Sequence, residues 1–134
     1  MNRSDMAALI ARVLLAAIFL LSGLGKMVGF PGTVSYIAAH GLPFPTLGAV
    51  LAIPVELGGG LLVLFGWKAR WAALALALFS VLAAVLFHTY WADADAAARM
   101  ANFINFWKNI AIAGGFLMLF AFGPGRYSLE RNAQ

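Results

Sequence analysis

Seven residues of this chain are of types that do chemistry and stand in or beside long apolar runs: Arg12, Lys26, Glu56, His88, Asn105, Lys108 and Asn109. Glu56 is the sharpest. It follows Pro54 and precedes Gly58-Gly59-Gly60 in PVELGGGLLVLFG. Pro54 frees the Val50 carbonyl from its helical bond, and the glycines admit a neighbouring backbone. An acid in such surroundings needs a cation, a water-filled cavity or its proton. It serves either as half of a structural ion pair or as a titratable, ligand-binding carboxylate. Arg12 is the expected partner. Lys26 lies fourteen residues further on, close to four helical turns, so Arg12 and Lys26 share a face with Ala16, Phe19 and Gly23 between them. Both cations can equally be anchors that snorkel to the headgroups. His88, in FHTYW, is a packing residue or a ligand-facing one. His40 is the other His, and two His without a third ligand do not predict a metal site. Asn102, Asn105 and Asn109 recur at helical offsets with Lys108 beside them. They serve either interhelical hydrogen bonds or a pocket wall.

The elements that must hold these groups follow from composition. Of 134 residues, 63% are hydrophobic before the 14 Gly are counted, and 10% are charged. Ordinary soluble domains hold about 45–50% apolar residues with Gly included, and about 25% charged ones. With mean hydropathy +0.90, most of the chain must be solvated by lipid. Disorder is excluded. The lack of Cys excludes disulfides, thiol redox chemistry and thiolate metal sites. A net charge of +4 and pI of 10.0 do not point to nucleic acid, because the basic residues form no run.

A bilayer core about 30 Å thick takes about 20 apolar residues as a helix. Four spans of that kind are predicted, over residues 6–25, 46–65, 69–91 and 102–122. The expected fold is therefore all-α, a transmembrane four-helix bundle in a single integral-membrane domain spanning residues 1–134. Pro43 and Pro45 stop a helix from running into the second span. Gly66-Trp67-Lys68 is a tight turn that makes spans two and three antiparallel neighbours. In the first outer loop, Pro31 can open and Gly41 can end a short interfacial helix carrying Val34, Tyr36, Ile37 and Ala38. The stretch from Trp91 to Ala101 reads as a polar loop. Ser22-Gly23 could end a cleaved signal peptide, but Arg12 interrupts its apolar segment.

Four spans place both termini on one side, with Arg3, Lys68, Arg70, Arg126 and Arg131; the other side carries Lys26 and Arg99, with Lys108 just inside the fourth span. The positive-inside rule then puts both termini in the cytoplasm. Trp67 and Trp71 at one boundary, and Trp91 and Trp107 at the other, form the expected aromatic belts.

On a common depth scale Lys26, His88, Asn105, Lys108 and Asn109 fall in the outer half. Glu56 lies near the midplane, about 15 Å down the second span, and Arg12 lies below it. If these stripes face inward, the bundle holds one polar pocket. Glu56 and Arg12 form its floor, Lys26, His88 and Lys108 its rim, and the segment from Phe30 to Pro45 its lid.

The same residues carry a resemblance. ARVLLAAIFLLSGLGKMVGF, GLPFP, PVELGGGLLVLFG, FHTYW, FWKNIAIAGG and GPGRYSLE, in that order, resemble the DoxX family of small bacterial membrane proteins. The similarity runs from Arg12 to Glu130. It implies a four-helix fold in the bacterial inner membrane and a place in membrane oxidoreductase complexes. The family's name comes from a membrane subunit of a thiosulfate:quinone oxidoreductase, and many members have no assigned activity. No catalytic residues carry over from it.

Three functions compete. The first is a redox membrane subunit that binds quinone, in which Lys108, His88 and Asn109 donate hydrogen bonds and Glu56 relays protons. No haem, flavin or iron–sulfur motif is visible, so there is no intrinsic cofactor beyond a bound quinone, and electrons would pass through a partner protein. The second is a non-catalytic assembly subunit or binder of a lipid or small ligand. The third is a transporter or proton pathway, disfavoured by four helices without an inverted repeat. Besides the bilayer, a soluble or membrane redox partner fits the first class; oligomeric state is open.

Overall fold

A computed structural model describes residues 2–130. Helix α1 (Arg3–Val28) is capped by Asn2, whose side chain accepts from the Ser4 amide at 3.3 Å. Gly29 ends α1 and is also the N-cap of α2 (Phe30–Ala39), which has Pro31 in its first turn. Helix α3 (Pro45–Phe65) begins on proline and ends at Gly66; α4 (Ala69–Phe87) follows after two residues. A single 3-10 turn (Tyr90–Ala92) leads to α5 (Ala96–Phe122). The four long apolar helices have the length and composition of membrane spans.

Three features differ from the sequence reading, the first being that the third span, expected to reach residue 91, ends as α4 at Phe87, capped by His88 ahead of the 3-10 turn. The first helix is longer than expected at both ends. The fourth span starts at Ala96, where residues to 101 were expected to be loop, because Asp95 caps it and accepts from the Ala98 amide at 2.9 Å. A polar stretch of Ala and Arg is a good helix once capped. The Asp95 carboxylate was the readable signal.

The spans alternate in direction. α1 packs along α3, α3 along α4, and α4 along α5, whereas α1 touches α5 only lightly. The core is thin and made of small residues: Ala16, Ala72, Ala73, Ala77 and Ala113 surround Phe19, Val63, Leu76, Phe116 and Leu119. Large apolar side chains point outward instead, with Leu14, Leu21, Met118 and Phe122 all more than half exposed. That inverted distribution suits lipid, since the hydrocarbon is as apolar as any core. Trp67 and Trp71 are exposed at the end holding the termini, and Trp91 and Trp107 at the α2 end.

The end holding the termini is closed by the residues after α5. Leu129 and Glu130 donate amides to the Phe65 and Gly66 carbonyls at 3.0 and 3.2 Å. The Glu130 carboxylate accepts from the Ala69 amide at 3.3 Å. The Arg126 amide donates to the Asp5 carboxylate at 3.2 Å. Gly66 sits where these strands of chain meet, at φ +67°, and a Cβ there would collide with Ser128 and the Arg12 guanidinium. Gly66→Ala should lower stability by about 1–2 kcal/mol from the left-handed backbone alone, with the collision added. A thermal melt in detergent, showing a Tm several degrees lower, checks this.

Candidate functional site

The bundle encloses a cavity of about 580 Å³ in its half nearer α2. Its wall is mainly apolar, including Ile18, Ala52, Leu82, Ala83, Leu86 and Ile112. Phe19 and Phe79 close it towards the thin core, packed edge to face at 6.1 Å, with Phe116 against Phe19 at 5.4 Å. Helix α2 covers the other side with Thr33, Tyr36 and Ile37, followed by Leu42 and Pro43. Tyr36 stacks on Phe87 at 5.5 Å, and His40 meets Phe87 edge-on at 5.1 Å. Burial raises the Tyr36 pKa, so its phenol stays protonated at neutral pH.

Glu56 lies on this cavity and is 3% exposed. Its partner is Lys26. The ammonium lies 3.0 Å from Oε1 and 2.9 Å from Oε2. Ser22, one turn before Lys26, donates its hydroxyl to Oε1 at 3.1 Å and accepts from Lys26 at 2.6 Å. The three side chains form a closed polar triangle in apolar surroundings, where such pairing is far stronger than in water.

Arg12 is not part of it. The expected Arg12–Glu56 floor is replaced by Lys26–Glu56. The Arg12 guanidinium is 1% exposed and donates to the carbonyls of Val63 at 3.4 Å, Leu64 at 3.0 Å, and Tyr127. Two physical reasons decide the choice. Side chains lean towards the N-terminus of their own helix. On α1 that carries Lys26 inward and Arg12 outward, while Glu56 on the antiparallel α3 leans up to meet Lys26. Gly23 then lets α3 come close: a Cβ there would lie 3.3 Å from the Glu56 Cβ and 2.8 Å from Leu57. Glu56 is thus level with Gly23, one turn from Lys26, rather than midway to Arg12.

His88 lines the cavity at the end of α4. Its Nδ1 lies 3.3 Å from the Asn102 Oδ1, and the Asn102 amide donates to Asp93 at 2.7 Å. A carboxylate only accepts, so Asn102 must turn its NH₂ to Asp93 and its oxygen to His88. The imidazole therefore donates from Nδ1 to Asn102. Asn109 also lines the cavity, and donates one amide proton to the Asn105 carbonyl at 2.9 Å. Asn105 is half-buried beside this wall but does not line the cavity; Lys108 is exposed on another face of α5. The cavity therefore gathers Lys26, Glu56, His88 and Asn109, and leaves out Arg12, Asn105 and Lys108. Ser22, Thr33, Tyr36 and Asn102 were missed as site residues. Ser22 at four residues before Lys26 was a readable signal. No spacing announced Tyr36, which α2 delivers by folding back. Among the described residues, no three His, Cys, Asp or Glu gather as a metal site.

A family model described as DoxX matches residues 7–89, well over half of the chain. The protein belongs to the DoxX family. Among curated relatives, inner membrane protein YphA of Escherichia coli (strain K12) is 43% identical over 124 residues, covering 92% of this chain and 88% of YphA. Inner membrane protein YqjF of the same organism is 42% identical over 127 residues, covering 95% and 92%. CatD of Bacillus subtilis (strain 168), provisionally named an oxidoreductase, is 37% identical over 79 residues, 58% of each chain. No solved structure matches the chain. The DoxX match takes in α1 to α4, and with them Lys26, Glu56 and His88.

Proposed function

We propose that this DoxX protein is an inner-membrane subunit of a quinone-linked oxidoreductase system, and that the cavity holds the quinone head group. The observation that carries the reading is a buried carboxylate, paired with a partly exposed ammonium, on the wall of an apolar cavity at membrane depth. At about 580 Å³ the space lies within the roughly 300–1,000 Å³ of small-molecule sites. It offers what a quinone needs: apolar surface for ring and tail, and a few fixed polar groups for the oxygens. Ile18 and Leu82 on its wall are each half exposed to the lipid side, which suits a ligand that lives in the bilayer. A bound quinone supplies two-electron, two-proton redox chemistry; the chain's own residues bind and orient it. The provisional oxidoreductase name of CatD agrees with this reading.

Both YphA and YqjF are named inner membrane proteins, which supports that membrane for this chain. The end with the termini exposes Arg3, Lys68, Arg70 and Arg126, whereas Lys26 at the α2 end is consumed in the pair with Glu56, leaving Arg99 and the exposed Lys108 there. This sharpens the charge asymmetry and supports cytoplasmic termini. Arg131, also counted on that side, lies outside the described residues.

The test is lipid extraction of the protein purified from its own membrane, beside a variant with Ala52→Phe and Ala83→Phe, both on the cavity wall. Quinone retained by the wild type and reduced at least about tenfold in the filled variant is the expected result, since steric loss of a fitted site costs more than 1.4 kcal/mol. Equal phospholipid and no quinone in both preparations would remove the proposal.

A further inference from the structure

A membrane quinone is a head group with a long apolar tail, whereas this cavity is closed at both ends. Phe19 and Phe79, backed by Phe116, fill it towards the termini, and α2 lies across the opposite end. A space of about 580 Å³ suits one compact ligand. A tail attached to that ligand has to leave through a side wall.

The four side walls are not alike. Between α1 and α3 the approach at Gly23 is so close that a Cβ there would lie 2.8 Å from Leu57. α4 and α5 pack together the most extensively of all, and the His88–Asn102 contact at 3.3 Å joins them at the α2 end. Between α3 and α4, Leu76 fills the space over Gly59 near the termini. The other half of that wall is strapped by α2, with Ile37 over Gly48 and Tyr36 stacked on Phe87 at 5.5 Å.

The wall between α1 and α5 has no such closure. These helices meet in the half nearer the termini, where Leu15 lies over Gly115 and Phe19 packs on Phe116 at 5.4 Å. Lys26 and Asn109 each stand seven residues beyond that phenylalanine pair, about 10 Å further towards the α2 end. Both line the cavity, and among the described residues no hydrogen bond joins them. Helix α2 packs on α1 and α3 but not on α5, so nothing spans the gap. Its edges are polar. Asn109 keeps its side-chain oxygen and one N–H unengaged, and the Lys26 side chain is 32% exposed within its ion pair. Polar edges facing hydrocarbon are costly unless they serve a ligand's path.

We infer that the cavity opens sideways into the bilayer through a slot between α1 and α5, and that its ligand is a long-tailed quinone whose tail runs out through this slot. The inference rests on the quinone reading. Ile18 and Ser22 on α1, with Asn109 and Ile112 on α5, border the tail.

The experiment uses wild-type protein in lipid nanodiscs and a decyl-benzoquinone carrying a diazirine on its tail, close to the ring. After irradiation, adducts are mapped by mass spectrometry with and without excess unlabelled decyl-benzoquinone. Displaceable adducts should fall at Ile18, Ser22, Asn109 or Ile112. They should exceed those on α3 and α4 by at least about tenfold, the bias that about 1.4 kcal/mol in tail placement gives. Displaceable adducts concentrated on Ala52 and Leu82, or on Tyr36 of α2, or spread evenly over the walls, would overturn the slot and leave the quinone site standing. A lack of displaceable adducts anywhere would overturn the slot and the quinone reading together.

Discussion

Arg12→Leu should leave little folded protein. The guanidinium holds three carbonyls that close the end of the bundle: Val63 and Leu64 in the last turn of α3, and Tyr127 in the segment after α5. Helix C-terminal carbonyls carry a partial negative charge, which is how a cation can be buried there without a carboxylate. Hydrogen bonds from a charged donor are worth about 1.5–3 kcal/mol each, and their loss strands buried acceptors. A total of about 4 kcal/mol or more is expected, a large share of a typical stability of about 5–15 kcal/mol. Leucine fills part of the volume, so the loss is polar rather than a void. Arg12→Lys should recover part of it, because a single ammonium cannot span all three carbonyls. Arg70 provides the contrast: it reaches the Phe120 and Ala121 carbonyls of α5 at 3.3 and 3.2 Å but is exposed. Arg70→Ala should cost less than about 1 kcal/mol, since water takes over its acceptors. Folded yield by size exclusion, with thermal melts of whatever folds, checks the set. Limited proteolysis adds a local readout, because Arg12→Leu should open the chain around Arg126 and Tyr127 to cleavage. An Arg12→Leu melt like that of the wild type would show that this end needs no capping.

The spans, the tight Gly66 turn and the short α2 were legible in the sequence because lipid imposes length and polarity rules on every residue. Pro31 and Pro45 stand at helix starts, where ring and missing N–H cost nothing. The pocket's partners were less legible, for one reason. Depth was counted from Cα positions along separate helices, as though side chains stood square to the axis and helices began level. Long side chains reach several ångströms along the axis, in opposite senses on antiparallel helices. Including that lean would have selected Lys26 for Glu56 and sent Arg12 to the far end. The close approach at Gly23 depends on packing between α1 and α3 and was not readable from either helix alone. Lys108 misled because it stands beside the Asn stripe and not on it, and the turn of about 100° between neighbouring helical residues carries it away from the cavity. It is Asn102 and Asn109 that the structure ties to His88 and the cavity.

Lys26→Met should be the most damaging substitution in the cavity. It removes the only cation paired with Glu56 among the described residues, and stranding one member of a buried pair costs about 3–5 kcal/mol. Glu56→Leu should cost less, because the Lys26 side chain is 32% exposed and can be solvated where Glu56, at 3%, cannot. The double variant should recover much of the loss, with a coupling energy of about 2 kcal/mol or more, since neither charge is left alone and two apolar chains of similar volume pack in their place. Unfolding in matched detergent, measured for the four members of this cycle, gives the coupling directly. Additive costs would mean that Lys26 and Glu56 do not act as a unit. The cycle also separates folding from binding. Desolvating two charges returns little stability over an apolar pair, so a fold alone gains little from this triangle. A double variant that melts like the wild type yet no longer retains quinone would assign the pair to the ligand. A double variant that stays as unstable as Lys26→Met would assign it to the packing of α1 against α3.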